Sequence, residues 1–214
     1  MLYVRHSLLT IDATKKDSLV SKLTTLLDAR KGRAGLRAYR VNISDPRPGL
    51  EKEGENRMCI MAVFDDKDAA DANTGNATSL RESLAESLVG GGSPLIREGE
   101  IIWSFDAEGV AGRPIMPGYM RHRAINFDPS KYDGMLAYAD STVSTLNSVP
   151  GLRRIRVGRV SNDRKIVSIA WDSKELADAA SEKLANAFVG FAEFEYGEPG
   201  LIAGDFVYTY TRGS

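Results

Sequence analysis

The sequence predicts an α+β fold: two tandem ferredoxin-like βαββαβ repeats whose antiparallel sheets pack into an α+β barrel about a pseudo-two-fold axis. Three observations carry this. Residues 3–12 (YVRHSLLTID) and 119–128 (YMRHRAINFD) place Tyr, Arg, His and Asp in the same slots, 116 residues apart, and hold both histidines of the chain, His6 and His122. Carried on without a gap, residues 3–43 match 119–159 at 11 of 41 positions, where ordinary composition gives roughly 6%. The order of apolar periodicities is also the same in both copies.

Each copy opens on about ten β-like residues rich in Val, Tyr, Leu and Ile. Thr14-x-x-Asp17 and Ser130-x-x-Asp133 read as helix starts, a hydroxyl capping a free N–H and an acid facing the positive helix end. Leu19, Val20, Leu23, Leu26 and Leu27 form one helical stripe; Met135, Leu136, Ala139, Val143 and Leu146 form its counterpart. Ala34-Gly35 and Pro150-Gly151 stop these helices. Strand 2 reads LRAYRVNI and LRRIRVGRV, and strand 3 reads RMCIMAVF and RKIVSIAW. Helix 2 is clearest in the second copy, where Leu176, Ala177, Ala180, Leu184, Ala187, Phe188 and Phe191 keep the 3.6-residue period. EIIWSF and DFVYTY form strand 4.

The copies stay aligned at shorter offsets later on, 107 for FDDKDAADA against WDSKELADA and 105 for GEIIWSF against GDFVYTY. The nine lost residues belong to a Pro-, Gly- and charge-rich loop, SDPRPGLEKEGEN. The domain reading is therefore a first repeat over 1–106, a linker over 107–117 and a second repeat over 118–212. A βαββαβ unit puts both helices on one sheet face and leaves the other needing cover, which a second copy supplies.

With 214 residues, 43% hydrophobic and 27% charged, the chain has the composition of a globular protein. A net charge of −1 gives no electrostatic case for nucleic acid or an anionic membrane. No apolar run reaches the length of a membrane span, and Arg5, His6 and Asp12 interrupt any leader-like stretch. The single cysteine, Cys59, fits a reducing cytoplasm. Nucleophile-elbow and Cys-His signals are absent, and Gly90-Gly91-Gly92-Ser93-Pro94 lacks the Lys of a phosphate loop and reads as a turn. RNA-recognition domains share the βαββαβ order, but neither third strand carries their Lys/Arg-Gly-aromatic pattern.

Side chains alternate along a strand, so Tyr3, Arg5, Ser7, Leu9 and Ile11 share one face and Val4, His6, Leu8 and Thr10 the other. Tyr119, Arg121, Arg123, Ile125 and Phe127 match the first set; Met120, His122, Ala124 and Asn126 match the second. An imidazole acts as a base near neutral pH, which makes His6 and His122 catalytic candidates; the bland reading is a hydrogen-bonded interior residue carried along by duplication. A metal site would need a third ligand that the pattern lacks, so no metal is expected. Arg5, Arg121, Arg123, Arg40 and Arg156 lie on strands and, if buried, need an acid or an anionic ligand. Tyr3, Tyr119, Trp171, Trp103 and Tyr208 can stack on a flat substrate or simply fill the core.

The stretch IVSIAWDSKELADAA, with Trp171, Asp172, Ser173 and Glu175 joining a strand to a helix, resembles the signature of antibiotic-biosynthesis-monooxygenase-like proteins of the dimeric α+β barrel superfamily. Pro150-Gly151-Leu152 before strand 2 fits the same pattern, while the first copy departs from it with Phe64 and Ala34. The resemblance spans nearly the whole chain as two copies. It implies that the Tyr3/Arg5 face points at the helices and the His6 face into the barrel. It also implies a cofactor-independent oxygenase or isomerase acting on a small aromatic or polyketide-like molecule. Family members that degrade haem resemble this chain at Trp171 only, since their strand-1 Asn falls near Ser7 and Arg123 and helix 2 carries no His.

The expected catalytic residues are thus His6 or His122 as base, with Arg121 or Arg123 stabilising the anion, and Tyr3, Arg5, Tyr119 and Trp171 contacting substrate. No cofactor is expected, and the expected partner is a small molecule, in a monomer with an internal pseudo-dimer or a homodimer of barrels. The alternatives are a non-catalytic ligand-binding or stress-associated barrel, and an amino-acid-sensing domain lacking its enzyme partner. A cavity of roughly 300 Å3 or more, lined by His and Arg, separates the enzyme from the filled barrel.

Overall fold

The computed structural model describes residues 1–44, 55–91, 93–110 and 118–213. Most of the acidic loop between strands 2 and 3, Gly92 of the glycine turn and residues 111–117 of the expected linker lie outside the described residues. The first repeat runs β1 (Tyr3–Asp12), α1 (Lys16–Asp28), β2 (Leu36–Ile43), β3 (Glu55–Phe64), α2 (Lys67–Ala72), α3 (Thr74–Leu84) and β4 (Leu95–Asp106). The second runs β5 (Tyr119–Phe127), α4 (Tyr132–Ser141), α5 (Val143–Asn147), β6 (Leu152–Ser161), β7 (Arg164–Trp171), α6 (Lys174–Ala179), α7 (Ser181–Phe188) and β8 (Glu195–Thr211).

Register is the same in both copies. Tyr3 pairs with Phe64 and Tyr119 with Trp171, both antiparallel. The Gly35 carbonyl accepts from Asp65 N at 2.8 Å, and the Gly151 carbonyl from Asp172 N at 2.8 Å. Hydrogen bonding orders the strands β1-β3-β2-β8-β5-β7-β6-β4 as a closed antiparallel barrel. Among the described residues each strand thus has a hydrogen-bonded neighbour on both sides.

Two compact units emerge, one of residues 1–100 with 206–214 and one of 101–205. Long fourth strands produce this division. β4 and β8 extend well beyond the EIIWSF and DFVYTY expected of them, and each is shared between the units: β4 gives 95–100 to unit 1 and 101–106 to unit 2, and β8 gives 195–205 to unit 2 and 206–211 to unit 1. In unit 1, 95–100 pairs with β1 and 206–211 pairs with β2. In unit 2, 195–205 pairs with β5. Arg40 and Arg156, repeat equivalents, anchor these added strands: Arg40 donates to Tyr210 O and Arg156 to Phe105 O at 2.9 Å.

Each unit carries its helices on one sheet face. In unit 1, Leu19, Leu23 and Leu27 of α1 and Leu80 and Leu84 of α3 pack on Leu9, Ile11, Ile60 and Phe64. In unit 2, Leu146, Ala177, Ala180 and Leu184 pack on Tyr119, Ile155, Ile169 and Trp171. Each leucine fully buried this way contributes about 2 kcal/mol or more. Helix 2 is broken in both copies, at Asn73 and at its repeat equivalent Ala180, so one expected helix becomes two short ones.

The caps differ from expectation. Asp12 and Asp128, not the hydroxyls, accept from Thr14 N and Ser130 N at 2.9 Å, and both hydroxyls donate to the same carboxylates. An ionised carboxylate is the stronger acceptor, so the hydroxyl becomes its second donor. The first helix ends at Asp28, ahead of Gly35, which sits instead in the turn before β2 at φ 75°. Among the described residues no helix is long and apolar enough to cross a membrane.

A Cβ on Gly35 would lie 2.3 Å from Ala69 Cβ, at a φ that L-residues avoid. Gly35→Ala is expected to destabilise the protein by more than about 1 kcal/mol, measured by urea unfolding. Gly32→Ala, whose Cβ meets nothing within 4 Å although φ is 74°, should cost less.

Candidate functional site

The clearest candidate is a cavity of about 220 Å3 in unit 1, between the sheet and α2–α3. The alternation of β1 builds it: Arg5, Ser7 and Leu9 face the space, together with Ile60, Ala62 and Phe64 of β3. Leu80 and Leu84 of α3 close the apolar side, and the exposed residues Asp71, Thr74 and Thr78 edge its mouth. The helix break positions Thr74: Asn73 turns inward and donates to Ala69 O at 2.8 Å, and α3 starts at the next residue. The helix-facing placement of Tyr3, Arg5, Leu9 and Ile11 agrees with the family-based expectation.

One charge pair stands in this apolar space. Arg5 Nε donates to Glu98 at 2.5 Å, its cross-strand neighbour on β4, and Nη2 donates to Thr74 Oγ1 at 3.1 Å. The Arg5 side chain is 7% exposed and that of Glu98 33%. The Arg5 guanidinium also lies 5.9 Å from the Phe64 ring centroid. The sequence alone singles out neither Glu98 nor Thr74. Glu98 sits in a glycine-flanked stretch ahead of EIIWSF, and only the full length of β4 sets it opposite Arg5.

Of the eight sequence candidates, Arg5 alone lines this cavity. His6 is on the opposite face of β1 and buried; burial lowers its pKa to about 4, against a hydrogen bond with the Arg97 backbone that raises it. His122 is also buried, with Nδ1 at 2.8 Å from Ser168 Oγ. Arg121 bonds Ala177 O, Ser181 Oγ and Asp178, and stacks over Tyr119 at 5.7 Å. Arg123 meets Glu195 at 2.6 Å. Trp171 is fully buried in the unit 2 core, and its indole N–H finds no acceptor among the described residues. Tyr3 is buried in the unit 1 core, where burial raises its pKa. The cavity is thus smaller than the roughly 300 Å3 expected of a catalytic pocket, and histidine is not among its lining residues.

The equivalent face of unit 2 is built differently. Arg123 stands where unit 1 has Ser7, and Lys165 where it has Met58. Lys165 Nζ lies 2.9 Å from Glu195, 3.1 Å from Met135 Sδ and 4.6 Å from the Phe191 ring centroid. Burial lowers the Lys165 pKa, and the Glu195 carboxylate opposes that. Asp106 is half-buried, which would raise its pKa, but Arg156 and Arg154 beside it bring it below the usual range. The Cys59 thiol is enclosed and pushed up to about 12, out of reach of nucleophilic use.

Neither a protein-family model nor a curated protein sequence matches the chain at a significant level. Solved structures do match. A proposed monooxygenase from Lactobacillus acidophilus superposes with a TM-score of 0.71 at 12% identity, covering 99% of this chain and 97% of its own. One from Fusobacterium nucleatum reaches 0.74 at 10%, covering 99% and 95%. An anthrone oxidase-like protein reaches 0.66 at 18%, covering 100% and 94%. The chain therefore has the fold of monooxygenase-like α+β barrel proteins, as the stretch around Trp171 implied. At these identities the likeness is one of fold.

Glu195→Gln leaves Lys165 without a full counter-charge in a dry site and is expected to cost about 3 to 5 kcal/mol. Lys165→Met, which installs the residue type of position 58 and leaves Glu195 to Arg123, should cost under about 1.5 kcal/mol; urea unfolding of both variants tests the contrast. Because the folded-state pKa of His6 lies below its unfolded value, the unfolded chain binds the extra proton first. Stability should therefore fall as pH drops from about 6.5 to 4, by up to about 3 kcal/mol at the lower end, and the fall should be smaller in His6→Gln.

Proposed function

We propose that this chain binds a small aromatic or polyketide-like molecule in the unit 1 cavity and acts on it as a cofactor-independent oxygenase or isomerase. The observation that carries this reading is the Arg5–Glu98 pair set into an apolar wall beside an accessible space. Such a pair supplies both halves of an enolisation. The Glu98 carboxylate takes a proton from an acidic C–H or phenolic O–H, and the Arg5 guanidinium stabilises the anion that forms. Low surrounding polarity strengthens that stabilisation. In an isomerisation the proton returns at another carbon. In an oxygenation the electron-rich anion reacts with O2, and converting a CH2 to C=O with O2 releases water, so no external reductant is required.

Support for the substrate class comes from the apolar lining and from the fold shared with an anthrone oxidase-like protein. The histidines take no part in this scheme: His6 lies across the strand from the space, and burial keeps it neutral at pH 7. The buried free thiol of Cys59 suits a reducing cytoplasm.

Purified protein incubated with one- and two-ring enolisable or phenolic compounds such as hydroxynaphthalenes in air should bind them and consume O2 or isomerise them without added cofactor. Glu98→Gln and Arg5→Met should lower turnover by about 100-fold or more, while His6→Gln should leave it within a few-fold. Binding without turnover of any compound would make the protein a ligand carrier. Turnover that survives both Glu98→Gln and Arg5→Met would reject the scheme.

A further inference from the structure

A second cation borders the same space and the enolisation scheme does not use it. Arg81 stands in the last turn of α3, half-buried on the cavity wall. Among the described residues it makes no ion pair and no side-chain hydrogen bond. Its helical neighbours three and four positions away are Ala77, Thr78, Leu84 and Ala85, none of them acidic. The other charges on the wall are already matched. Arg5 has Glu98 at 2.5 Å, and Asp71 has Lys67 at 2.5 Å. The cavity therefore carries one uncompensated positive charge beside an apolar surface formed by Leu9, Ile60, Leu80 and Leu84.

The helix C-terminus favours a cation at this position by a small dipole effect. That accounts for a basic residue in the last turn, but not for a side chain that lines an apolar cavity and meets no acid among the described residues. A guanidinium in such a place is completed by a carboxylate, which it grips with two parallel hydrogen bonds. We infer that the ligand is a one- or two-ring aromatic monoacid, whose ionised carboxylate docks on Arg81 while its rings lie against the leucines. One free positive charge matches one negative charge, and a volume of about 220 Å3 limits the ring system to that size. Arg81 sets which molecules enter, and Arg5 and Glu98 act on them. The inference rests on the reading that the unit 1 cavity is the ligand site.

Calorimetric titration with 2-naphthoate and its neutral isostere 2-naphthamide separates the two. Wild-type protein should bind the carboxylate about tenfold or more tighter than the amide. That preference should shrink as salt is raised. Arg81→Gln should abolish the preference while leaving amide binding unchanged, which also shows that the variant is folded; Arg81→Lys should keep part of it. Ala77→Phe, which places a ring in the space, should weaken both ligands. Equal wild-type affinities, or a preference that persists in Arg81→Gln, would overturn the role of Arg81 while the cavity reading stands. If neither ligand binds, or if Ala77→Phe affects neither, the cavity reading fails and the role of Arg81 falls with it.

Discussion

The two-residue period of a pleated strand is the constraint on which this structure depends. Along β1 it sends Arg5, Ser7 and Leu9 toward α3 and turns His6 the other way. A shift of one residue would exchange the two sets, burying His6 under the helices and moving Arg5 away from Glu98. The hydrophobic face prevents such a slip, because Tyr3, Leu9 and Ile11 belong to the helix-covered core. The same rule acts in β5, where Tyr119 and Arg121 face the helices and His122 meets Ser168. Which way the polar side chains of β1 and β5 face follows from that alternation.

A second rule decides which of these side chains are free to act. A guanidinium or ammonium taken out of water must find a partner. Arg40 and Arg156 find the carbonyls of the long fourth strands, Arg121 finds Asp178, and Arg123 shares Glu195 with Lys165. These charges hold the fold together. Arg5 differs in its setting, because its partner Glu98 borders an accessible cavity. The two repeats have diverged on this point. Small Ser7 and apolar Met58 in unit 1 are replaced by Arg123 and Lys165 in unit 2. A backbone kept by duplication thus carries a ligand-sized space in one unit and an ion network on the matching face of the other.

Several features are legible in the sequence. The step of 116 residues, the leucine stripe of α1 and the order of the elements all rest on local pattern, and all are present. Other features were misread for physical reasons. The sequence shows Asp12 and Asp128 as repeated but not as caps, because a short helical turn intervenes between them and α1 or α4. Helix 2 reads as continuous in the sequence, since the apolar period runs through the breaks at Asn73 and Ala180. The extra length of β4 and β8 was missed because residues 95–100 and 195–205 are mostly exposed and carry no apolar alternation.

Local pattern by itself determined the α+β class, the doubling and the helix-facing set of β1, because those depend on periodicities within one element. It also offered eight site candidates, chosen as residues able to do chemistry. Tertiary structure decided their surroundings. It set Glu98 opposite Arg5 across 93 residues of chain and, among the described residues, left Arg81 without an acid. It also enclosed His6, His122 and Trp171 among side chains. Partner choice and solvent access depend on which distant segments come together, and no single stretch of sequence holds that information.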